Sequence, residues 1–187
     1  MNRLTRYKMY KEILSSFEEQ IKGKILAITD ISGFRSLIDP RYGEVMEISY
    51  PEVDCQNLPY EDNTFDAIFS DQVLEHVIDP VKAVNEALRV LKPNGVVIHT
   101  TCFINYYHPA PIDYWRFSPQ ALEYLHRNFS EIIVCGGWGN RLAVFICMLG
   151  ERFRAIAIPD NKLSLRRLIA SRNNERYPIT TWIVARK

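Results

Sequence analysis

The stretch that decides the fold is Phe65-Asp66-Ala67-Ile68-Phe69-Ser70-Asp71-Gln72-Val73-Leu74-Glu75-His76-Val77, then Asp79-Pro80, then Val96-Val97-Ile98-His99-Thr100-Thr101. Ala67 to Phe69 is a short apolar run of the kind found in a sheet buried on both faces. It gives way at Ser70-Asp71, where polar groups emerge at a strand end. Asp79 reads as a helix N-cap with Pro80 at the first helical position. Val81, Val84, Leu88 and Leu91 follow at spacings of three, four and three, which predicts one apolar helix face. Pro93 and Gly95 end that pattern, and a second apolar strand begins at once. Strand, helix and strand within about forty residues make a βαβ unit with parallel strands. Ligands of such sheets sit beyond the carboxyl ends of the strands. Asp71, Gln72 and residues 100–103 therefore belong at the mouth of a site.

Composition agrees with one globular α/β domain over residues 1–187. The chain is 47% hydrophobic and 24% charged, and shows no internal repeat, low-complexity tract or linker. A formal charge of +1 gives no electrostatic argument for nucleic acid. Cys55, Cys102, Cys135 and Cys147 are scattered without a C-x-x-C pair, which predicts reduced thiols and no metal site. There is no apolar leader, and no run approaches the ~20 residues of a membrane span, so a cytoplasmic protein without a transmembrane segment is expected.

Upstream, Tyr10, Ile13, Leu14, Phe17 and Ile21 share a helical face, with Gly23 as its C-terminal cap. Residues 24–28 predict the first strand and 29–33 the loop after it. Glu44 to Ile48 predicts the second strand, ending at Ser49-Tyr50. Downstream, Ser118-Pro119 caps a helix with Leu122, Leu125 and Phe129 as its buried stripe. Residues 132–135 read as a strand, 136–140 as a tight loop and 141–153 as a helix. Residues 180–185 predict a closing strand beside 132–135. Residues 151–176 carry seven Lys or Arg against three acids, a solvated helix face or a basic face for phosphate or an anionic membrane.

Two motifs carry a resemblance. Leu58-Pro59-Tyr60-Glu61-Asp62-Asn63-Thr64-Phe65-Asp66 and Arg89-Val90-Leu91-Lys92-Pro93-Asn94-Gly95 frame the L-E-H-V segment at residues 74–77. Together they resemble the small class I S-adenosylmethionine (SAM) dependent methyltransferases, the branch related to quinone-biosynthesis enzymes. Residues 99–125 and 136–141 look like a bacterial subgroup linked to surface-polysaccharide synthesis. The resemblance implies a Rossmann-like, mostly parallel sheet with an antiparallel C-terminal strand. With almost no room between residues 50 and 65 for the usual helix and third strand, that sheet edge should be abbreviated.

It also implies SAM as cofactor and a small-molecule acceptor, such as a sugar or saccharide intermediate. In the family pattern the loop after the first strand is glycine-rich and follows an acidic residue. Here Ala27, Thr29 and Ile31 stand at three of those positions and only Gly33 is kept. Asp30 and Ser32 are the candidates to hold the cofactor's ammonium and carboxylate; a tight turn with Asp30 as a cap fits the same residues. Glu47 is the candidate for the ribose hydroxyls, although an exposed strand carboxylate fits as well. Asp54 and the backbone of Cys55 match the adenine-contacting loop, with Asp71 and Gln72 at the next strand end. His108, His76 and Asp113, in that order, are the candidate bases, while His99 reads as buried structure. Tyr107, Tyr114, Trp115 and Arg116 offer flat faces and a guanidinium to an acceptor. The eroded glycine loop keeps a second class open, a degenerate fold acting as a binding or scaffold subunit. A nicotinamide-dependent dehydrogenase is disfavoured by the missing G-x-G-x-x-G turn.

Overall fold

A computed structural model describes residues 3–187 except Ala110 and Lys162, so one position of the 104–117 loop and one lysine of the basic stretch lie outside the described residues. Six strands form one sheet in the order β2-β1-β3-β4-β6-β5. They are β1 (Ile21–Ile28), β2 (Ile38–Ile48), β3 (Phe65–Asp71), β4 (Leu91–Cys102), β5 (Glu131–Trp138) and β6 (Thr180–Arg186). β1 pairs in parallel with β2 and β3, and β3 with β4, while β6 runs antiparallel between β4 and β5. Six helices flank the sheet: α1 (Tyr7–Ser15), α2 (Pro80–Val90), α3 (Pro119–Leu125), α4 (Arg141–Met148), α5 (Glu151–Arg154) and α6 (Leu165–Ser171). Met9 and Ile13 of α1 and Ala143 of α4 pack with Phe69, Trp138 and Trp182 on one side. Val84 and Ala87 of α2 and Leu122 of α3 pack with Ile68, Val97 and Ile183 on the other. The result is a three-layer Rossmann-like sandwich. No helix among the described residues is long and apolar enough to cross a membrane.

The βαβ unit has the expected form. β3 and β4 lie side by side in register from Ala67↔Val96 to Asp71↔Thr100. Asp79 accepts a hydrogen bond from the Lys82 N–H at 3.0 Å and caps α2. The buried face of α2, however, is Pro80, Ala83, Val84, Ala87 and Val90, while Val81 is exposed and Leu91 already begins β4. Large side chains drew the predicted face toward Val81 and Leu88; the small alanines let the helix lie close on the sheet. Pro93 and Gly95 do not end the helix but sit in a bulge of β4, where the register slips between the Phe65 and Ala67 pairings.

Other boundaries move for similar reasons. α1 stops at Ser15, so Ile21 and Gly23 belong to β1 rather than to a helix and its cap. Gly23 has φ +86° in a β1 bulge, and a Cβ there would fall 2.2 Å from Asp66 Oδ2, whose carboxylate accepts from the Lys24 N–H. β2 starts at Ile38, earlier than expected, after a short 3-10 helix at Ser32–Leu37. Residues 49–64 contain no helix or strand, so the sheet ends at β2 and its edge is abbreviated. Gly136 to Trp138 continue β5 instead of looping, because their ladder to β6 persists as far as Trp138↔Thr180. The predicted helix over 141–153 is broken at Gly150 into α4 and α5.

Candidate active site

The carboxyl ends of β1, β3 and β4 meet at one rim, and two residues there hold unusual backbone. Thr29, just after β1, has φ +74°, and Gln72, just after β3, has φ +60°. A β-branched residue in the left-handed region is strained. Thr29 occupies one of the expected glycine positions, so this chain keeps the glycine conformation without the glycine. The Thr29 N–H donates to the Ile48 carbonyl at 2.9 Å and fixes the loop against β2.

Three cavities open around these residues. The largest, about 390 Å³, is mainly apolar and lined by Ile28, Thr29, Ser49, Tyr50, Val53, Asp54, Cys55, Gln72, His76, Val77, Ile78 and Tyr114 among others. A polar one of about 220 Å³ lies between Arg3, Arg6, Tyr10, Thr29, Asp30, Ser32 and Asp71. A third, of about 190 Å³, is lined by Arg3, Thr5, Arg6, Gln72, His76, His108, Glu151, Arg154 and Ala155. Gln72 and His76 line the first and third; Arg3 and Arg6 line the second and third. The three form one crescent along the rim.

Asp54, Cys55, Gln72, Asp71, Asp30 and Ser32 all face this crescent. Asp54 Oδ1 accepts from the Gln56 N–H at 2.8 Å and from its side-chain amide at 3.0 Å, holding the loop in an Asx turn. Burial pushes the Cys55 thiol up to about 12, so it is a neutral wall group. The Asp30 carboxylate accepts from the Ser32 N–H and hydroxyl at 2.8 and 3.1 Å. Gly33 is buried but lines none of the three cavities; a Cβ there would meet the Tyr10 ring at 2.2 Å. Its lack of a side chain makes room for α1. Glu47 is exposed on β2 and outside the cavities, while Ser49 and Tyr50 take the strand end.

Asp71 is engaged by the N-terminal segment. The Tyr10 hydroxyl donates to Asp71 Oδ2 at 2.6 Å, Thr100 Oγ1 donates to Oδ1, and Arg6 forms an ion pair with the same carboxylate. Burial, with the Asp71 charge beside it, holds the Tyr10 phenol in its protonated form. Arg3 and Arg6 were not singled out from sequence, and Tyr10 was read only as part of an apolar helix face, because an N-terminal helix carries no motif that ties it to a strand end some sixty residues away.

The 104–117 loop lies on the same rim. The Tyr114 and Trp115 N–H groups donate to the Glu75 carbonyl at 2.8 and 3.2 Å, and Trp115 Nε1 donates to the Val77 carbonyl at 2.8 Å. Tyr114 therefore lines the large apolar cavity, and the Trp115 indole supports its wall. Tyr107 is exposed and lines none of the three cavities. Arg116 forms a fork with Asp113, Nη1 to Oδ1 at 2.5 Å and Nη2 to Oδ2 at 2.6 Å. The Asp113 side chain is fully excluded from solvent, and Arg116 holds its carboxyl down at about 2. Asp113 also accepts from the His108 N–H at 2.9 Å and lies 3.2 Å from His108 Nδ1. His76 Nδ1 lies 2.6 Å from the Ile112 carbonyl, which can only accept, so that nitrogen carries a proton. The two imidazoles stand edge to face, 5.1 Å apart.

Beneath them lies Glu75, fully buried, which accepts from Thr101 Oγ1 at 2.7 Å while its Oε1 has no partner. Ligand-type atoms of Glu75, Cys102 and His108 lie within 4.8 Å of one another. Burial raises the Glu75 carboxyl, and pushes the Cys102 thiol up to about 12, so the thiol sits there as a neutral group. His99 is buried away from the rim, with Nδ1 2.9 Å from His126 Nε2.

This sheet, with β6 reversed between β4 and β5 and a site on the carboxyl rim, is the class I methyltransferase fold. The family described as "Methyltransferase domain" matches residues 13–99. The ubiquinone/menaquinone biosynthesis C-methyltransferase UbiE of Idiomarina loihiensis is 43% identical over 56 residues, 30% of this chain and 22% of that protein. The chain thus spans about a fifth of that relative's length. Phosphoethanolamine N-methyltransferase 2 of Haemonchus contortus, solved in complex with S-adenosyl-L-methionine, superposes with a TM-score of 0.63 at 16% identity, covering 97% of this chain and 52% of that one. A SAM-dependent methyltransferase from Aquifex aeolicus gives 0.56 at 14% identity over 99% and 94% of the two chains. At these identities the structural likeness is one of fold.

Proposed function

We propose that this chain is a SAM-dependent methyltransferase acting on a small-molecule acceptor. The observation that carries the reading is the meeting of an apolar and a polar cavity at Gln72 and His76, on the carboxyl rim of the sheet. The donor set fits the cofactor. Asp54 and the Cys55 backbone offer an acceptor and a donor to an adenine edge between the apolar walls of Val53, Val77 and Ile78. Asp30 and Asp71 present carboxylates to an ammonium, while Ser32, whose hydroxyl faces Asp30, is the donor for a carboxylate. When bound, SAM supplies an electrophilic methyl group on a sulfonium.

The chain's own residues then align and deprotonate. Holding donor and acceptor in line contributes ~7–11 kcal/mol of barrier lowering. For a hydroxyl acceptor, His108 is the favoured base, and its proton-accepting nitrogen is set by the Asp113 carboxylate at Nδ1. Asp113 is a positioning residue in this reading, and His76 is the second imidazole within reach of the same cavity. Tyr114 closes the cofactor side, and Trp115 and Arg116 hold the loop. A saccharide intermediate, suggested by the sequence resemblance, is the narrower reading of the acceptor, with Tyr107 at its outer edge.

The rival scaffold reading rests on the eroded glycine loop. The positive φ of Thr29 weighs against it, because a loop released from cofactor binding has no reason to keep a strained backbone. Calorimetry with SAM, its demethylated product S-adenosylhomocysteine (SAH) and NAD tests the reading. SAM and SAH should bind saturably and NAD should not. Asp54→Ala should weaken SAM by about 1–3 kcal/mol, the scale for an unpaired polar partner. Absence of saturable SAM binding up to millimolar concentration would refute the enzyme reading.

A further inference from the structure

The third cavity has a composition that the methyltransferase reading alone does not explain. Three guanidiniums line it, from Arg3, Arg6 and Arg154, together with His76 and His108. The walls that carry the arginines come from two segments far apart in sequence, residues 3–6 and 151–155. Arg3 bridges to Ala157, and the Leu4 N–H donates to the Ile156 carbonyl at 2.9 Å, so residues 3–6 and 151–157 are pinned face to face.

The charges do not cancel. Arg6 is matched by Asp71, and Arg154 lies 3.7 Å from Glu151. Arg3 has no carboxylate within ion-pair distance among the described residues. Glu75 is buried beneath the cavity and accepts from Thr101 Oγ1, outside ion-pair distance of the three arginines. Arg154 stacks over the Tyr106 ring at 4.8 Å, which fixes its plane, and its buried Nε has no hydrogen-bond partner. An unpaired buried guanidinium N–H beside surplus positive charge is matched by an acceptor-rich anion. The cavity of about 190 Å³ has room for about six waters at ~30 Å³ each, the size of a head group rather than a whole cofactor.

We propose that the cavity between Arg3, Arg6 and Arg154 is an anion site that holds a phosphate or carboxylate of the methyl acceptor. The anion sits toward Arg3 and Arg154, leaving the reacting group of the same molecule at Gln72, His76 and His108, where this cavity joins the apolar one. As the acceptor's handle the site rests on the methyltransferase reading; as an anion site it does not.

The test is calorimetric titration of inorganic phosphate and, in a parallel arm, acetate into the full chain, with and without saturating SAH. Chloride holds the ionic strength constant. Arg154 and Glu151 line this cavity and neither of the others, so they are the positions to vary. At least one anion should bind with a millimolar Kd, and the tighter of the two assigns phosphate or carboxylate as the handle. Arg154→Gln should weaken that anion at least tenfold, whereas Glu151→Gln, which removes the competing carboxylate, should tighten it about threefold. SAH affinity should stay within twofold in both. The opposite signs separate the proposal from a folding defect, which weakens every ligand. Failure of both anions to saturate below about 50 mM, or identical binding by wild type and both variants, would overturn it. If SAH itself does not bind, the cofactor reading falls, while the arm without SAH still decides the anion site.

Discussion

Arg116→Met isolates the pair that anchors the 104–117 loop. The substitution keeps an apolar stem but removes both fork bonds to Asp113 and the bonds to the Tyr106 and Trp115 carbonyls at 3.0 and 2.7 Å. Asp113, with no solvent access, is left with the His108 N–H and, beside it, Nδ1. Removing one partner of a fully buried pair costs ~3–5 kcal/mol. Arg116 is 27% exposed, so water replaces part of the loss, and about 2–3 kcal/mol is expected. The depression of the Asp113 carboxyl from 3.8 to about 2 is of the same order, about 2 kcal/mol. Urea denaturation at pH 7 should show this deficit, and the melting temperature should fall by about 5–10 °C. A depressed carboxyl contributes stability that is present above pH 4 and lost as pH falls through the folded value. The gap between variant and wild type should therefore shrink by about half at pH 3. Adding Asp113→Asn to the variant should recover part of the loss, because a neutral amide is easier to bury. A deficit under ~0.5 kcal/mol at pH 7, or a gap unchanged at pH 3, would refute this account.

Thr29→Gly should raise stability by about 1 kcal/mol, since relief of the left-handed strain exceeds the entropy cost of glycine; a loss in urea denaturation would contradict it. Gly33→Ala should cost about 1–3 kcal/mol through the Tyr10 ring, and the same change in a Tyr10→Ala background should cost far less. His126 Nδ1 donates to the Leu122 carbonyl at 2.8 Å and burial lowers its pKa to about 4. The unfolded chain therefore takes up that proton first, and stability should fall by on the order of 2–3 kcal/mol as pH drops from 6.5 to 4. His126→Gln should reduce that slope, leaving the part that buried His99 contributes in the same direction.

The βαβ unit was legible because its signals are local: an apolar run, an N-cap with proline, and a stop. The absent strand beyond β2 was legible by length alone. Which face α2 buries was not, because alanines at 83 and 87 give little hydropathy and act by letting backbones approach. Gly23 carried the right peculiarity but the wrong element, since a positive φ serves a bulge as well as a cap. Asp54, Cys55, Asp71 and Gln72, named from their position along the motif, line the cavities on the rim. Glu47 fell outside because it sits within β2, two residues short of Ser49, which takes the strand end at the cavity. The arginines of the third cavity were invisible for a different reason. Arg154 lies about 150 residues from Arg3 and Arg6, and only the pairing of residues 3–4 with 156–157 brings them together.

The sheet's termination at β2 also bears on how copies of this chain meet. An outer strand with unpaired N–H and C=O groups is a template onto which another strand can add. β2 carries Pro40, which has no N–H to donate, and Asp39, Arg41, Glu44 and Glu47 along eleven residues. In a self-pairing ladder Glu44 and Glu47 would approach their own kind, and the proline would leave a gap in the bonding. The shortened edge thus comes with its own protection against edge-to-edge aggregation, and neutralising Glu44 and Glu47 together is the change that would remove it.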